Sequence, residues 1–206
     1  MMDTVVFDMG QVLIHWTPDQ FLDRYDLLQE DRLLLKRELF ATIQWTQLDR
    51  GSITEEEALQ VIRGRLPQRL HAVAEELVCR WWVWPLQPME GMEELIRELD
   101  SHGYSIYVLS NAGLPLRQYW PRLPGARFFK GVLVSAEEKV IKPQPEIFRT
   151  FLSRFGLEPG QCVFIDDLPA NCEGAVNVGM QGCVFRGDVK QLRMDLRRMG
   201  IRCAEI

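Results

Sequence analysis

The chain has 206 residues, 47% hydrophobic and 26% charged, with a formal net charge of −5 and a pI near 5.3. That length buries one sizeable core with room for a smaller second unit. The acidic balance argues against a nucleic-acid or anionic-membrane surface, since either would repel it. Five cysteines (Cys79, Cys162, Cys172, Cys183, Cys203) form no CxxC pair, and their odd number leaves one over in any full disulfide scheme, so reduced thiols are expected. Asp3 and no basic segment precede the first apolar run, and no stretch approaches a membrane span in length; the expectation is a cytoplasmic monomer or homodimer.

In chain order, Thr4 to Phe7 is a β-branched and aromatic run that reads as a buried strand, ending in Asp8 and the turn-permissive Gly10. Thr17 and Pro18 predict a helix start, with Thr17 as N-cap and Pro18 in the first turn. From there to about Pro85 the pattern is helical only. Leu48 to Ser52 reads as a polar loop, and Thr54 with Glu57 forms a capping box that opens the next helix. Another helix is expected from Pro67 toward Cys79. Trp45, Trp81, Trp82 and Trp84 crowd this block, and packing between helices is the expected use of such aromatics.

After Pro85 to Pro88 the grammar becomes alternating helix and strand. A helix from Met92 stops near Gly103, the strand Tyr104 to Leu109 ends in Ser110-Asn111, and a short helix follows around Leu116 to Trp120. The strand Gly131 to Val134 leads into a loop containing Lys142. Pro145 starts a helix, Cys162 to Ile165 forms a strand ending in Asp166-Asp167, and Asn171 begins the next helix, whose Gly174 and Gly179 suit close packing on a sheet. A strand near Cys183 to Phe185 and a basic terminal helix complete the chain; Arg193, Arg197, Arg198 and Arg202 read as a solvated face. Alternation of this kind predicts a wound parallel sheet flanked by helices, a Rossmann-like α/β core of residues 1–16 and 88–206 with an inserted all-helical unit at 17–87.

Asp8, Ser110 and the Asp166-Asp167 pair each follow a predicted strand, and Lys142 lies in the loop after another, so one edge of the sheet collects them. Carboxylates, a cation and a hydroxyl donor together suit a divalent metal and a phosphate.

The segments Phe7-Asp8-Met9-Gly10-Gln11-Val12, Val108-Leu109-Ser110-Asn111, Lys142-Pro143 and Phe164-Ile165-Asp166-Asp167-Leu168-Pro169-Ala170-Asn171 resemble the four motifs of the haloacid dehalogenase superfamily, in order and in the right structural slots. The inserted helices resemble that family's cap. Within it, Gly10, the Ser-Asn pair and the Asp-Asp-x-x-x-Asn stretch are most similar to small sugar phosphatases acting on glucose 1-phosphate, with the phosphatase domain of soluble epoxide hydrolases a more distant likeness.

The resemblance implies that Asp8 is a nucleophile forming an aspartyl-phosphate. It implies Mg²⁺ held by Asp8, the Gly10 carbonyl and Asp166, with Asp167 on a coordinating water. Ser110 and the amide at Asn111 would donate to phosphoryl oxygens, Lys142 would offset negative charge, and Asp49, Arg50 and Gly51 of the cap would touch a small phosphate ester. One departure stands out: most phosphatases of the superfamily carry a second Asp where Gly10 stands, to protonate the leaving oxygen. Its absence suggests an acidic leaving group, such as the anomeric hydroxyl of a sugar 1-phosphate, or His15 as proton donor, although a structural place at the cap hinge is the leading reading of His15. Two alternatives stay open: a metal-independent haloacid dehalogenase, and a catalytically weak binder of a phosphorylated ligand or protein.

Overall fold

The strand Thr4–Phe7 (β1) is the middle of a five-stranded sheet and is buried along its whole length. The protein, seen in a computed structural model, is described over residues 2–204. After β1 come the two-residue strand Ile14–His15 (β2) and five helices: Pro18–Leu22 (α1), Gln29–Leu35 (α2), Ile43–Arg50 (α3), Glu55–Arg63 (α4) and His71–Cys79 (α5). The strand Gln87–Pro88 (β3) and the helix Met92–Ser101 (α6) lead to Ser105–Ser110 (β4), Leu116–Tyr119 (α7), Gly131–Val134 (β5), Ser135–Glu138 (α8) and Pro145–Phe155 (α9). Cys162–Asp166 (β6), Pro169–Val176 (α10), Gln181–Val184 (β7) and Val189–Arg198 (α11) follow.

The sheet order is β5-β4-β1-β6-β7, with every neighbouring pair parallel. The chain winds outward from β1 through β4 to β5, then returns to the other side of β1 for β6 and β7. That reversal opens a crevice beyond the strand ends beside β1. Period-two alternation assigns the two faces. Val5, Phe7, Ile106, Val108, Val163 and Ile165 pack with α6 and α11, whereas Val6, Leu109, Leu133 and Phe164 pack with Ile147, Phe148 and Phe151 of α9 and Ala175 of α10. With both faces covered, the strands read as continuous apolar runs.

The helices α1 to α5 have a hydrophobic cluster of their own, with Phe21, Leu22, Leu35, Leu39, Ile62, Leu70 and Leu77 at its centre. Their capping follows the sequence: Thr17 accepts from the Gln20 amide with Pro18 in the first turn, and Thr54 and Glu57 complete a reciprocal capping box. The five helices join the sheet domain through β2 and β3, which pair antiparallel as Ile14 with Pro88 and His15 with Gln87. Two-residue strands leave no periodicity to read, so this pair is invisible in the sequence.

Four expectations are corrected. Leu48, Asp49 and Arg50 are not loop: Thr42 caps the start of α3, and the helix runs on to Arg50 before Gly51 ends it at φ 69°. A Cβ on Gly51 would also come within 2.2 Å of the Ala136 carbonyl oxygen, so the residue both stops the helix and lets it approach α8. Arg193 is not solvated; it is buried and ion-paired with Glu98 of α6, the shared face of α11 and α6. Burial works against the Glu98 carboxylate, yet that guanidinium and the Ala204 amide hold its pKa below the usual range. Gly174 packs closely on the Pro143 carbonyl and Phe148 rather than on the sheet, and Gly179 serves a turn at φ 93°. The five cysteines are free thiols, as expected, and no described helix is long and apolar enough to cross a membrane.

Candidate active site

Asp8 follows β1 directly, and its amide is held by the Ile165 carbonyl of β6 at 2.8 Å. Asp166 ends β6, so parallel pairing of β1 with β6 sets the two carboxylates side by side. Lys142 reaches between them from the loop after α8. Its ammonium lies 2.7 Å from Asp8 Oδ1 and 2.6 Å from Asp166 Oδ2, and its side chain is fully enclosed. Burial disfavours that ammonium, but the two carboxylates outweigh burial and hold the lysine pKa above its ordinary value.

Each of these groups has its own brace. Asn171, on the first turn of α10, donates its side-chain amide to both oxygens of Asp166 at 3.0 Å, and the Leu168 amide donates to Asp166 Oδ1 at 2.8 Å. Asn111, just past β4, donates from Nδ2 to the Lys142 carbonyl at 3.0 Å and accepts the Lys142 amide on Oδ1 at 2.8 Å. The four scattered segments are thus tied to one another by side chains, as the shared sheet edge predicts.

The donor set fits a metal ion by its chemistry. One oxygen from each of Asp8, Asp166 and Asp167 lies within 4.8 Å of the others. An all-carboxylate group of that size suits a small hard cation and gives soft metals nothing to bind. Burial pushes the Asp8 carboxyl up to about 7, Lys142 pulling against it and Asp166 adding to it. The Asp167 carboxyl is raised by burial and then by Asp166. A bound dication would offset this crowding of negative charge.

Above the cluster is a cavity of about 720 Å³ between the sheet edge and the helices α3 to α5. Asp8, Met9, Gly10 and Asn111 to Leu116 line its floor, and Trp16, Trp45, Trp81, Trp82, Leu48 and Ile53 line much of its wall. The tryptophans pack on one another, as expected: Trp16 stands 5.5 Å from Trp45 and 6.0 Å from Trp81, ring to ring. They also wall the cavity, which a packing role alone does not predict.

Asp49 lines the same cavity from the last turn of α3. Burial raises its carboxyl pKa well above the ordinary value, the Asp8 charge raises it further, and Lys142 counters in part. Ser135, at the start of α8, ties the end of α3 to the loop after β4: its hydroxyl donates to the Asp49 carbonyl and accepts the Ala112 amide at 2.9 Å. Arg50 is not among the described residues lining the cavity. Successive helix positions point about 100° apart, so turning Asp49 inward turns Arg50 aside.

Ser110 is buried at the end of β4, next to the cavity floor, and Gly10 lines that floor. Both ends of the Asn111 side chain are taken by Lys142, so its amide group positions the lysine. His15 is exposed on β2 opposite Gln87 and lies outside the described cavity lining. The Cys172 thiol is pushed up to about 11 by burial and then by Asp166, consistent with a packing residue.

Residues 2–179 match the haloacid dehalogenase-like hydrolase family. The chain belongs to that family. This haloacid dehalogenase-like hydrolase is 27% identical over 201 residues to the sesquiterpene phosphatase astK of Aspergillus oryzae, with 94% of each chain covered. It is 28% identical over 159 residues to flavin mononucleotide hydrolase 1 of Arabidopsis thaliana, covering 76% of this chain and 62% of that protein, so less than two thirds of that relative's length is spanned. Among solved structures it resembles a HAD family enzyme of Bacteroides thetaiotaomicron crystallised with magnesium and inorganic phosphate: TM-score 0.68, 22% identity, 93% of this chain and 99% of that one. At that identity the likeness shows the fold.

Three features of this haloacid dehalogenase-like hydrolase escape sequence reasoning: the cavity face of the tryptophans, the Ser135 clasp on the cap, and the bracing roles of Asn111 and Asn171. Both asparagines stand in recognisable motifs. Ser135 carries no signal beyond following a strand.

Proposed function

We propose that the protein is a Mg²⁺-dependent phosphatase of small phosphate monoesters that works through an aspartyl-phosphate on Asp8. The observation that carries this reading is the buried Lys142 ammonium between Asp8 and Asp166, with Asp167 completing an oxygen-donor cluster beneath a cavity of ligand size. In this reading the Asp8 and Asp166 carboxylates and the Gly10 carbonyl hold the ion, with Asp167 on a coordinating water. When bound, the ion draws charge from the phosphoryl oxygens and brings substrate and nucleophile together. One Asp8 oxygen attacks phosphorus in line with the leaving oxygen. Lys142, Ser110 and the amide at Asn111 receive the remaining phosphoryl oxygens, where charge compensation is the main catalytic requirement. Cap and core divide, in this reading, at the paired strands β2 and β3.

Two leaving-group classes are supported by different observations. The motif resemblance and Gly10 support a sugar phosphate such as glucose 1-phosphate. The tryptophan wall and the cavity volume, inside the roughly 300–1,000 Å³ of ordinary ligand sites, support an ester with a larger apolar or ring-shaped body. Relatives named for a flavin mononucleotide and a sesquiterpene lie on that side. A screen of sugar phosphates, nucleotides and isoprenyl monophosphates with Mg²⁺, each repeated with a chelator in excess, is the test. Chelator-sensitive phosphate release is expected, with activity returning on added Mg²⁺. Halide release from 2-haloacids unaffected by chelator would replace this reading with the dehalogenase one, and ligand binding without turnover would replace it with a binding role.

A further inference from the structure

Position 10 poses a question that the phosphatase reading leaves unanswered. Phosphoryl transfer to Asp8 expels an alkoxide unless a proton reaches the leaving oxygen, and the next step needs a base to take a proton from water. Gly10 supplies neither. Nothing in the backbone demands glycine there: its φ is not in the left-handed region, and an added Cβ would meet only the Trp16 Cβ, at an ordinary 3.8 Å.

We propose that Asp49, carried on the last turn of α3, is the general acid and base of this reaction, acting from the cap in place of the side chain missing at position 10. The proposal rests on the phosphatase reading above. Asp49 lines the cavity that contains Asp8 and Gly10, from the α3 side, whereas Lys142 and Asp166 lie behind Asp8 and outside the described cavity lining. No hydrogen bond or ion pair of its carboxyl is found among the described residues, so the group is uncommitted. Its backbone, by contrast, is tightly placed. The Ser135 hydroxyl holds the Asp49 carbonyl, and the bare Gly51 seats the helix end against the Ala136 backbone. The charged and titratable groups around the cavity are Asp8 and, behind it, Lys142, with Tyr119 of α7, Glu55 and Glu57 of α4, Cys79 of α5 and Lys139 after α8. Burial and the nearby Asp8 charge favour the protonated form of Asp49, the form an acid needs at the start of the cycle.

An Asp8 carboxylate oxygen forms a bond to phosphorus while the bond from phosphorus to the leaving oxygen breaks, and that oxygen takes the Asp49 proton and departs as an alcohol. Asp49, now a carboxylate, takes a proton from a water whose oxygen attacks phosphorus. The bond from phosphorus to Asp8 breaks, releasing inorganic phosphate and restoring both side chains.

The test compares kcat/KM for two aryl esters, phenyl phosphate with its poor leaving group and p-nitrophenyl phosphate with its good one, in wild type and Asp49→Asn with Mg²⁺ present. Because kcat/KM reports the first phosphoryl transfer, Asp49→Asn is expected to lose about 10²–10⁴-fold on phenyl phosphate and less than about tenfold on p-nitrophenyl phosphate. Turnover of the second ester certifies that the variant is folded. Equal losses on both esters, or none on either, would overturn the proposal. Adding Gly10→Asp to Asp49→Asn is expected to restore phenyl phosphate turnover at least about tenfold, and no recovery counts against it. If the wild type turns over neither ester, the phosphatase reading fails instead.

Discussion

Asp8→Asn is expected to lower phosphate-ester turnover by roughly 10⁴–10⁶-fold, the scale of losing a covalent nucleophile, and yet to make the metal-free protein more stable above neutral pH. The first effect follows from geometry: no other described carboxylate follows the central strand, and the amide oxygen of Asn attacks phosphorus poorly. The second follows from linkage. The Asp8 carboxyl is raised from 3.8 to about 7, mainly by burial, so the folded state binds its proton more tightly than the unfolded state does. For an acid shifted upward, wild-type stability falls as pH rises from about 4 to about 7. Asparagine has no such fall. The difference in melting temperature between variant and wild type therefore grows across that window and is greatest above it. Thermal scans at several pH values without metal check the sign, and a variant less stable than wild type at pH 8 would contradict it. Added Mg²⁺ is expected to stabilise wild type more than Asp8→Asn, by mass action on a site that lost one ligand.

Lys142→Met is expected to be the most damaging single change to the fold among the site residues. The lysine side chain is fully enclosed, with carboxylate oxygens 2.7 and 2.6 Å from its ammonium. Methionine fills a similar volume but leaves Asp8 and Asp166 facing each other unpaired. Removing one partner of a buried ion pair costs about 3–5 kcal/mol, so a lower denaturant midpoint is expected together with loss of turnover. Without the ammonium, which pulls its pKa down, the buried Asp8 carboxyl favours protonation in the folded state still more. The destabilisation relative to wild type is therefore smaller at pH 5 than at pH 8, and a pH-independent loss would show that the lysine acts by packing alone.

What the sequence made legible is what periodicity and punctuation encode. The β-branched run before Asp8, the Thr17-Pro18 start and the Thr54-Glu57 box each stand where local rules put them. The meeting of Asp8, Lys142 and Asp166 was readable as well, because parallel strands place their ends on one edge. Tertiary context was less legible. Polar Leu48-Asp49-Arg50 looks like a loop, but the Thr42 cap and the Gly51 stop keep it helical. Arg193 belongs by spacing to a basic stripe, yet Glu98 on a helix ninety-odd residues earlier in the chain draws it inward. The tryptophans identify themselves as packing residues; that one edge of the cluster borders a cavity depends on how the cap sits on the sheet.

In the proposed reaction Asp8 attacks phosphorus and carries the phosphoryl group between the two steps. The most direct test is to mix the enzyme with Mg²⁺ and p-nitrophenyl phosphate, quench within a turnover, reduce with borohydride and sequence the peptides by mass spectrometry. An acyl phosphate is reduced to the corresponding alcohol, so homoserine is expected at position 8 in the quenched sample, and none when Mg²⁺ is withheld. An unmodified Asp8 alongside continuing phosphate release, or reduction at a different carboxylate, would contradict it.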